Sequence, residues 1–332
     1  RMVVEKYLSS SIRNIVSMFT SHLPSVEKSL VSQRIQSLLE YTVGDGKNSR
    51  GTLVLSSFDA IGGSKERREC ALRAATSIEI LQSFLLVADD IMDESERRRG
   101  KPCWYRLDGI GLSAVNDALL LQVAAQSEMS EAFKGHPNKD RALSALDLTI
   151  RRTIVGQMMD TNTAGKVEEF SWQRYSQLVE HKTSHYTFAL PIQLGVLASG
   201  MDREMKKEME IAMRIGYLFQ SQDDWLDVYG DTAVTGKIGT DIKDKKCTWL
   251  SCKALEILSK EKDGMEVLKS ALNDNNEESV KKIYEDLGLN NRFKKFEDEF
   301  SSLLLRDIDS IPTHQLISVF RDLVNRIKHR QK

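Results

Sequence analysis

Proline is scarce in this chain: five residues in 332, at Pro24, Pro102, Pro137, Pro191 and Pro312. So few breakers leave long helices free to form. Sustained alternation of apolar and polar residues is missing, which argues against a sheet. The four cysteines (Cys70, Cys103, Cys247, Cys252) contain no CxxC pair, and the Cys247/Cys252 spacing does not suit a zinc knuckle. They read as reduced thiols rather than a disulfide framework. No apolar run approaches the ~18–20 residues of a membrane span, and no continuous apolar h-region marks a secretory signal. Excess charge of either sign is also lacking: 47 Lys and Arg against 48 Asp and Glu leave a net charge of −1. That balance gives no reason to expect a nucleic acid or a membrane surface as partner. A cytoplasmic setting is expected. The serine-rich, acid-poor stretch Ser9–Arg13 keeps a trimmed organellar transit peptide as the alternative.

Hydrophobic residues make up 41% and charged residues 29%, the balance of a soluble globular protein with a sizeable core. Apolar residues recur at spacings of three and four, as in Leu72, Ala75, Ile78, Leu81, Leu85, Ala88 and in Met209, Ala212, Ile215, Leu218. This period predicts helices over about 25–42, 49–61, 66–93, 112–134, 139–162, 171–199, 203–228, 246–258, 261–272, 277–286, 291–309 and 313–329. No linker-like stretch divides them. The expectation is one all-α domain over residues 1–332, a large helical bundle.

Two aspartate clusters stand out: Asp89-Asp90-Ile91-Met92-Asp93 and Asp223-Asp224-Trp225-Leu226-Asp227. Carboxylates four residues apart share a helix face and repel one another, which costs the helix stability. A divalent cation removes that cost, and Mg²⁺ prefers carboxylate oxygens while sharing its remaining positions with water and substrate phosphates. Each cluster closes a strongly apolar helix, so its carboxylates would face a cavity more readily than bulk water. If the two helices are antiparallel neighbours, the clusters face each other across the mouth of the bundle.

Cations flank both clusters. Arg97-Arg98-Arg99-Gly100 follows the first, while Lys237, Lys245 and Lys246 follow the second. Farther upstream, Gly46-Lys47-Asn48-Ser49-Arg50-Gly51 places two cations at a probable helix start. Arginine forks and helix N-termini both suit phosphate oxygens. Metals alone would not require these cations, so the pattern implies two diphosphates, one held by metals and one by Arg and Lys.

These residues resemble the farnesyl diphosphate synthases of the trans-prenyltransferase (isoprenoid synthase) family, over nearly the whole chain. The resemblance is carried by Gly46-Lys47-x-x-Arg50, by Leu81 to Asp93, and by Arg98-Arg99-Gly100-x-x-Cys103-Trp104-Tyr105. It continues through Gly156-Gln157-x-x-Asp160, Lys182-Thr183-x-x-Tyr186, Phe219-Gln220-x-Gln222-Asp223-Asp224 and Val234 to Ile242. It implies an isoprenoid synthase bundle with a central cavity, a homodimer, and three Mg²⁺ ions for which Mn²⁺ can substitute. By the same resemblance Asp89, Asp93 and Asp223 would be direct metal ligands, with Asp90, Asp224 and Asp227 in support. Arg98, Lys182 and Lys237 would hold the allylic diphosphate (dimethylallyl or geranyl). Lys47, Arg50, Gln82 and Arg99 would hold isopentenyl diphosphate. Thr183, Tyr186 and Gln220 would line the reacting carbon, and Phe219 would bind substrate. His181 and His185 read as packed or surface side chains rather than catalysts.

Residues four and five before Asp89, one helical turn back, share its cavity. They are Leu85 and Phe84. In the family such bulk is the floor that stops chain growth; animal farnesyl synthases commonly carry two aromatics there, and this chain carries one. The expected product is farnesyl diphosphate (C15), formed over a slightly roomier floor. The rivals are a terpene synthase on the same scaffold, a geranyl diphosphate synthase, and an inactive subunit of a heteromeric synthase. Arg97 stands where the family usually has a small hydroxyl residue, and Lys328 to Lys332 keeps the basic character of the family's tail that closes over isopentenyl diphosphate but departs from its usual spacing.

Overall fold

The computed structural model describes residues 2–44, 46–231, 239–261, 263–274, 276–328 and 330, with side chains from Tyr7 onward. Its helices are α1 (Met2–Thr20), α2 (Ser25–Thr42), α3 (Ser49–Ala60), α4 (Arg68–Met92), α5 (Ala114–Ala132), α6 (Lys139–Thr163) and α7 (Trp172–Val179). A π-helical segment, Glu180–Ala189, leads into α8 (Leu190–Ala198) and α9 (Lys206–Tyr229). There follow α10 (Trp249–Leu258), α11 (Gly264–Asn273), α12 (Glu277–Asp286), α13 (Leu289–Ile308) and α14 (Ile317–Ile327). The chain groups into two compact units, Arg1–Asp147 with Leu190–Glu204, and Leu148–Ala189 with Met205–Lys332.

In the first unit α4 is the central element, packed by α5, α3 and α8. Between Ala71 and Phe84 most of its side chains are buried on every side, as befits a helix that is apolar all round. The stretch Lys65–Met92 is long and apolar enough to cross a membrane, yet 72% of its apolar window is buried within the protein. It is a core helix. Helix α1, absent from the periodicity reading, docks through Leu8, Ile12 and Ile15. The serines between them obscure that pattern. Where α8 meets α3, Gly195 lets two backbones touch: a Cβ there would lie 2.4 Å from the Val54 carbonyl oxygen.

Helix α4 ends in a full Schellman turn. Glu94 takes the left-handed conformation (φ 50), its N–H bonds Ile91 O, and the Ser95 N–H bonds Asp90 O at 2.9 Å. Next comes a feature the sequence did not announce, a two-residue antiparallel ladder pairing Arg97 with Pro102 and Arg98 with Lys101. Its connecting residues, Arg99 and Gly100, both have positive φ (54 and 78), the requirement of the tight type I′ hairpin turn.

The second unit is built on α9, flanked by the π-helical segment, α13 and α14. An aromatic cluster fills its core; Trp225 stacks on Phe293 at 5.6 Å, and its indole N–H donates to Asn290. The π-helical segment lies between two glycines. A Cβ on Gly156 would come within 2.4 Å of Lys182 N, and one on Gly216 within 2.7 Å of Ser184 Cα. Pro191 follows, in the first turn of α8. It has no N–H to offer the carbonyls before it, and π turns commonly mark such an interruption. Cys247 and Cys252 are buried free thiols with sulfurs 3.7 Å apart.

Burial pushes His185 down to about 4, reinforced by Arg152 and His181. Glu180 lies 3.6 Å from its Nε2, but that carboxylate is half exposed and screened by solvent. The imidazole is therefore neutral in the fold.

Two outcomes follow. Gly195→Ala should cost about 1–3 kcal/mol through overpacking, read as a lower denaturant midpoint. Because the folded His185 binds its proton later than the unfolded chain does, its neutral form stabilises the fold above about pH 6.5 and that contribution fades toward pH 4. Wild type should accordingly lose stability across that window more steeply than His185→Phe, by about one proton's worth of slope. Equal slopes would refute this.

Candidate active site

Both aspartate clusters sit at helix C-termini, the negative end of the helix dipole and the worse end for a carboxylate. In the first unit, Asp89 and Asp90 occupy the last turn of α4 and Asp93 is its C-cap. Asp90 is buried and takes Arg98 Nε at 2.7 Å and Nη2 at 2.6 Å. Burial pushes its pKa up, while Arg98 and the Cys103 thiol pull it back. Arg98 Nη2 also lies 3.4 Å from Asp89, which is half-buried, as is Asp93. The hairpin thus delivers one guanidinium across two carboxylates. Arg97 is exposed and donates to Gly100 O, closing the turn.

Arg99, in the turn itself, points elsewhere: its Nη1 donates to Thr42 O at 3.2 Å. A Cβ on Gly46 would lie 3.4 Å from Arg99 Nη2 and 3.3 Å from Asn48 Oδ1. Arg99 thereby joins the Lys47–Arg50 segment, where Asn48 takes a left-handed backbone to begin α3. A buried acid, Glu79, organises this region. It accepts the Gly51 N–H at 2.7 Å. Burial raises its pKa, and Gly51, Arg50 and Arg99 oppose the rise. Gln82, one turn along α4, is buried with no hydrogen bond to its Oε1, and both amide atoms of Asn48 are likewise without one. Buried polar atoms seldom go unpaired in the working state of a protein, so these mark a place where a polar ligand or water is received. Phe84 is buried and Leu85 half-buried, Leu85 on the same helix face as Asp89.

In the second unit, Asp223, Asp224 and Asp227 lie in the last two turns of α9. Asp224 is buried and accepts three hydrogen bonds: from Tyr175 OH at 2.7 Å, Trp249 N–H at 2.8 Å and Gln220 Nε2 at 3.0 Å. Burial still pushes it upward. Gln220 Oε1 in turn accepts from the Thr183 hydroxyl at 2.7 Å. Asp227 is capped by the N–H groups of Asp241 at 2.9 Å and Thr240 at 3.4 Å. Gly239 permits that approach, since a Cβ there would strike the Asp227 carbonyl. Asp223 is half exposed and pairs with Arg330. Lys182 is held on Asp160 at 2.7 Å, beside Lys246 at 3.0 Å on the same oxygen. Burial works to raise Asp160, but the two ammonium groups overcome it and hold the carboxyl below its usual range. Phe219 meets Phe188 edge-on at 5.5 Å, and Tyr186 is half-buried. Lys237 lies outside the described residues.

The donor set of both clusters is carboxylate oxygen, which suits Mg²⁺. Among the described residues no three acidic, His or Cys side chains converge on one point. A cation here would therefore take one or two carboxylates and complete its shell with water or ligand phosphates, which is the habit of Mg²⁺. Sequence reasoning did not single out Glu79 or Tyr175, and it named Arg330 only within the basic tail, without a contact. It quoted Asp160 and Gln222 only as parts of motifs. Gly51 beside Arg50 is the one local signal for Glu79, because a glycine at a helix start often admits a close neighbour.

The chain matches the family model described as polyprenyl synthetase over residues 32–287. It is 36% identical to the farnesyl pyrophosphate synthase of Rattus norvegicus, covering 96% of this chain and 94% of that one. It is 35% identical to farnesyl pyrophosphate synthase 1 of Parthenium argentatum, with 90% of each covered. Among solved structures, the T. brucei farnesyl diphosphate synthase complexed with minodronate superposes with a TM-score of 0.89 at 26% identity, covering 100% of this chain and 99% of that chain. With a family model spanning both aspartate clusters and relatives matched almost end to end, this chain belongs to the polyprenyl synthetase family.

Proposed function

We propose that this enzyme is a Mg²⁺-dependent prenyltransferase. It joins dimethylallyl or geranyl diphosphate head to tail to isopentenyl diphosphate, giving farnesyl diphosphate and pyrophosphate. The observation that carries this reading is the second set of phosphate-suited groups. Arg50 and Arg99 both bear on one buried carboxylate, Glu79, at the opening of α3 that Lys47 precedes, and the Gln82 amide is buried one turn along α4. An enzyme that only ionises and cyclises an allylic diphosphate has no use for such a set, which disfavours a terpene synthase. All six cluster aspartates are present, which disfavours an inactive subunit.

Asp89, Asp93 and Asp223 would hold Mg²⁺, while Asp90, Asp224 and Asp227, fixed by hydrogen bonds, each support their own cluster. Three ions are expected, with Mn²⁺ a workable substitute. Bound metal would offset the negative charge that builds on the departing diphosphate. Arg98 and Lys182, with Lys237 as a further candidate, would grip that diphosphate. Lys182 is pre-positioned by Asp160. The Thr183 hydroxyl spends its proton on Gln220, so its oxygen lone pairs are free to face developing positive charge. Phe219 and Tyr186 would exclude water from the cation. His185, half-buried and neutral, reads as a packed side chain rather than a base; the departing diphosphate is the natural proton acceptor.

A single family model runs across both structural units, and we read them as one isoprenoid synthase domain. A homodimer is supported by an exposed apolar stripe at and along α5: Leu112 (75% exposed), Val115 (50%), Leu119 (54%) and Val123 (47%). Such stripes mark association surfaces. Four free thiols accord with a cytoplasmic setting.

Mass analysis of products from dimethylallyl plus isopentenyl diphosphate with Mg²⁺ tests the reading. A dominant C15 product, abolished by a metal chelator, is expected. Dominant C20 or longer chains would sink it, as would a C10 endpoint. Hydrocarbon formed from geranyl diphosphate alone would favour the terpene synthase. In the same assay Phe84→Ala should shift a substantial share of product beyond C15.

A further inference from the structure

Arg98 and Arg99 are consecutive, yet they serve different neighbours. Arg98, in the ladder, lies on Asp90 and near Asp89. Arg99, in the turn, donates to Thr42 O at 3.2 Å. Both take their places from the hairpin Arg97–Pro102, whose ladder is only two residues long. A lone two-stranded hairpin has little stability of its own. Packing beneath it is also incomplete: a small hollow is lined by Leu86 and Val87 of α4 and by Arg98, Arg99 and Pro102 of the hairpin. Dispersion contacts across such a gap hold it weakly.

Directional contacts from outside the hairpin supply the hold. Asp117, buried on α5, accepts the Trp104 indole N–H at 2.7 Å. The same carboxylate takes Arg34 of α2 through Nε at 3.2 Å and Nη2 at 2.6 Å. Trp104 follows the second strand by two residues. Its ring meets the Arg34 guanidinium at 5.3 Å and the Tyr41 ring at 5.5 Å. Tyr41 in turn donates its hydroxyl to Pro102 O at 2.8 Å and lies under the Lys101 ammonium at 5.5 Å. Thr42, whose carbonyl accepts from Arg99, ends α2, where the helix dipole favours a cation. Other bonds of the loop, Cys103 N–H to Glu96 O and Tyr105 OH to Ser95 O, close it on itself without tying it to a helix.

We propose that Asp117, Trp104 and Tyr41 are positioning residues: they clamp the hairpin to α2 and α5 and so set the grip of Arg98 and Arg99 on two different diphosphates. This rests on the reading of those arginines as holding the allylic and the isopentenyl diphosphate. The clamp acts on the reaction through the hairpin backbone. Because one element carries both arginines, a fault in the clamp is felt at both sites together, whereas a fault in one arginine is felt chiefly at its own.

The test measures steady-state condensation of geranyl with isopentenyl diphosphate, alongside thermal melting. It compares wild type with Tyr41→Phe, Trp104→Phe, Asp117→Asn and the double variant Trp104→Phe/Asp117→Asn. Trp104→Phe leaves Asp117 paired with Arg34, and Tyr41→Phe removes one hydroxyl from a half-buried ring, so both should fold. Each single variant should raise KM for both diphosphates roughly three- to ten-fold, the scale of one lost hydrogen bond, with kcat little changed. The double variant should be scarcely worse than the worse single one, because Trp104 and Asp117 share one bond. Arg98→Lys and Arg99→Lys are the references, each raising KM for one diphosphate. Unchanged KM values in Tyr41→Phe and Trp104→Phe, or a rise confined to one diphosphate, would overturn the clamp alone. A fall in kcat or melting temperature with KM intact would mark the residues as merely structural and overturn it too. References that move neither KM would overturn the roles given to the two arginines, and the proposal with them.

Discussion

Carboxylates gathered at the C-terminal end of a helix oppose both one another and the helix dipole. Helices α4 and α9 each end in three of them. The rest of the site can be understood as the arrangement that makes this tolerable while leaving the carboxylates usable. In each cluster the middle aspartate is buried and enclosed by hydrogen bonds: Asp90 by Arg98, Asp224 by Tyr175, Gln220 and Trp249 N–H. Burial with hydrogen bonds fixes these two firmly. Their neighbours Asp89 and Asp223 stay partly in solvent, each next to one guanidinium.

The same device recurs where no metal is expected. Glu79 and Asp160 are buried acids whose role is to collect cations, Arg50 and Arg99 for one, Lys182 and Lys246 for the other. Long cationic side chains would otherwise lose considerable conformational freedom on meeting a ligand. Held in advance, they would present a preorganised positive surface to phosphate oxygens, which is the form in which electrostatics contributes most to catalysis.

Much of this was legible beforehand because helix boundaries are written locally. Helix α2 begins right after Pro24, α3 opens at the Asn48 turn, and α4 and α9 carry uninterrupted helical periodicity to their aspartates. Other parts were hidden for physical reasons. Helix α1 buries a sparse apolar face behind serines. The Arg97–Pro102 hairpin is too short for any periodic signal, and its positive-φ turn is occupied by an arginine. The contributions of Glu79, Tyr175 and Gln222 depend on partners 28, 49 and 108 positions away, which no local pattern reveals. Composition also shows no linker between the two structural units, because two of the three passages between them lie within helices, α6 and Glu180–Ala198, and the third is the short loop before α9.

The π-helical segment has an evolutionary consequence. A π turn accommodates an extra residue relative to an α turn, so Glu180–Ala189 stores surplus chain between two glycine contacts. Removing one residue would let it tighten toward an α-helix with its flanks still in place, but the angular spacing of the side chains inside the segment would change. Thr183 and Tyr186 could not both keep their present directions. Point substitutions can be absorbed one at a time, whereas length changes here act on the whole face together. The reading frame of this helix is therefore under tighter constraint than the identity of most of its residues.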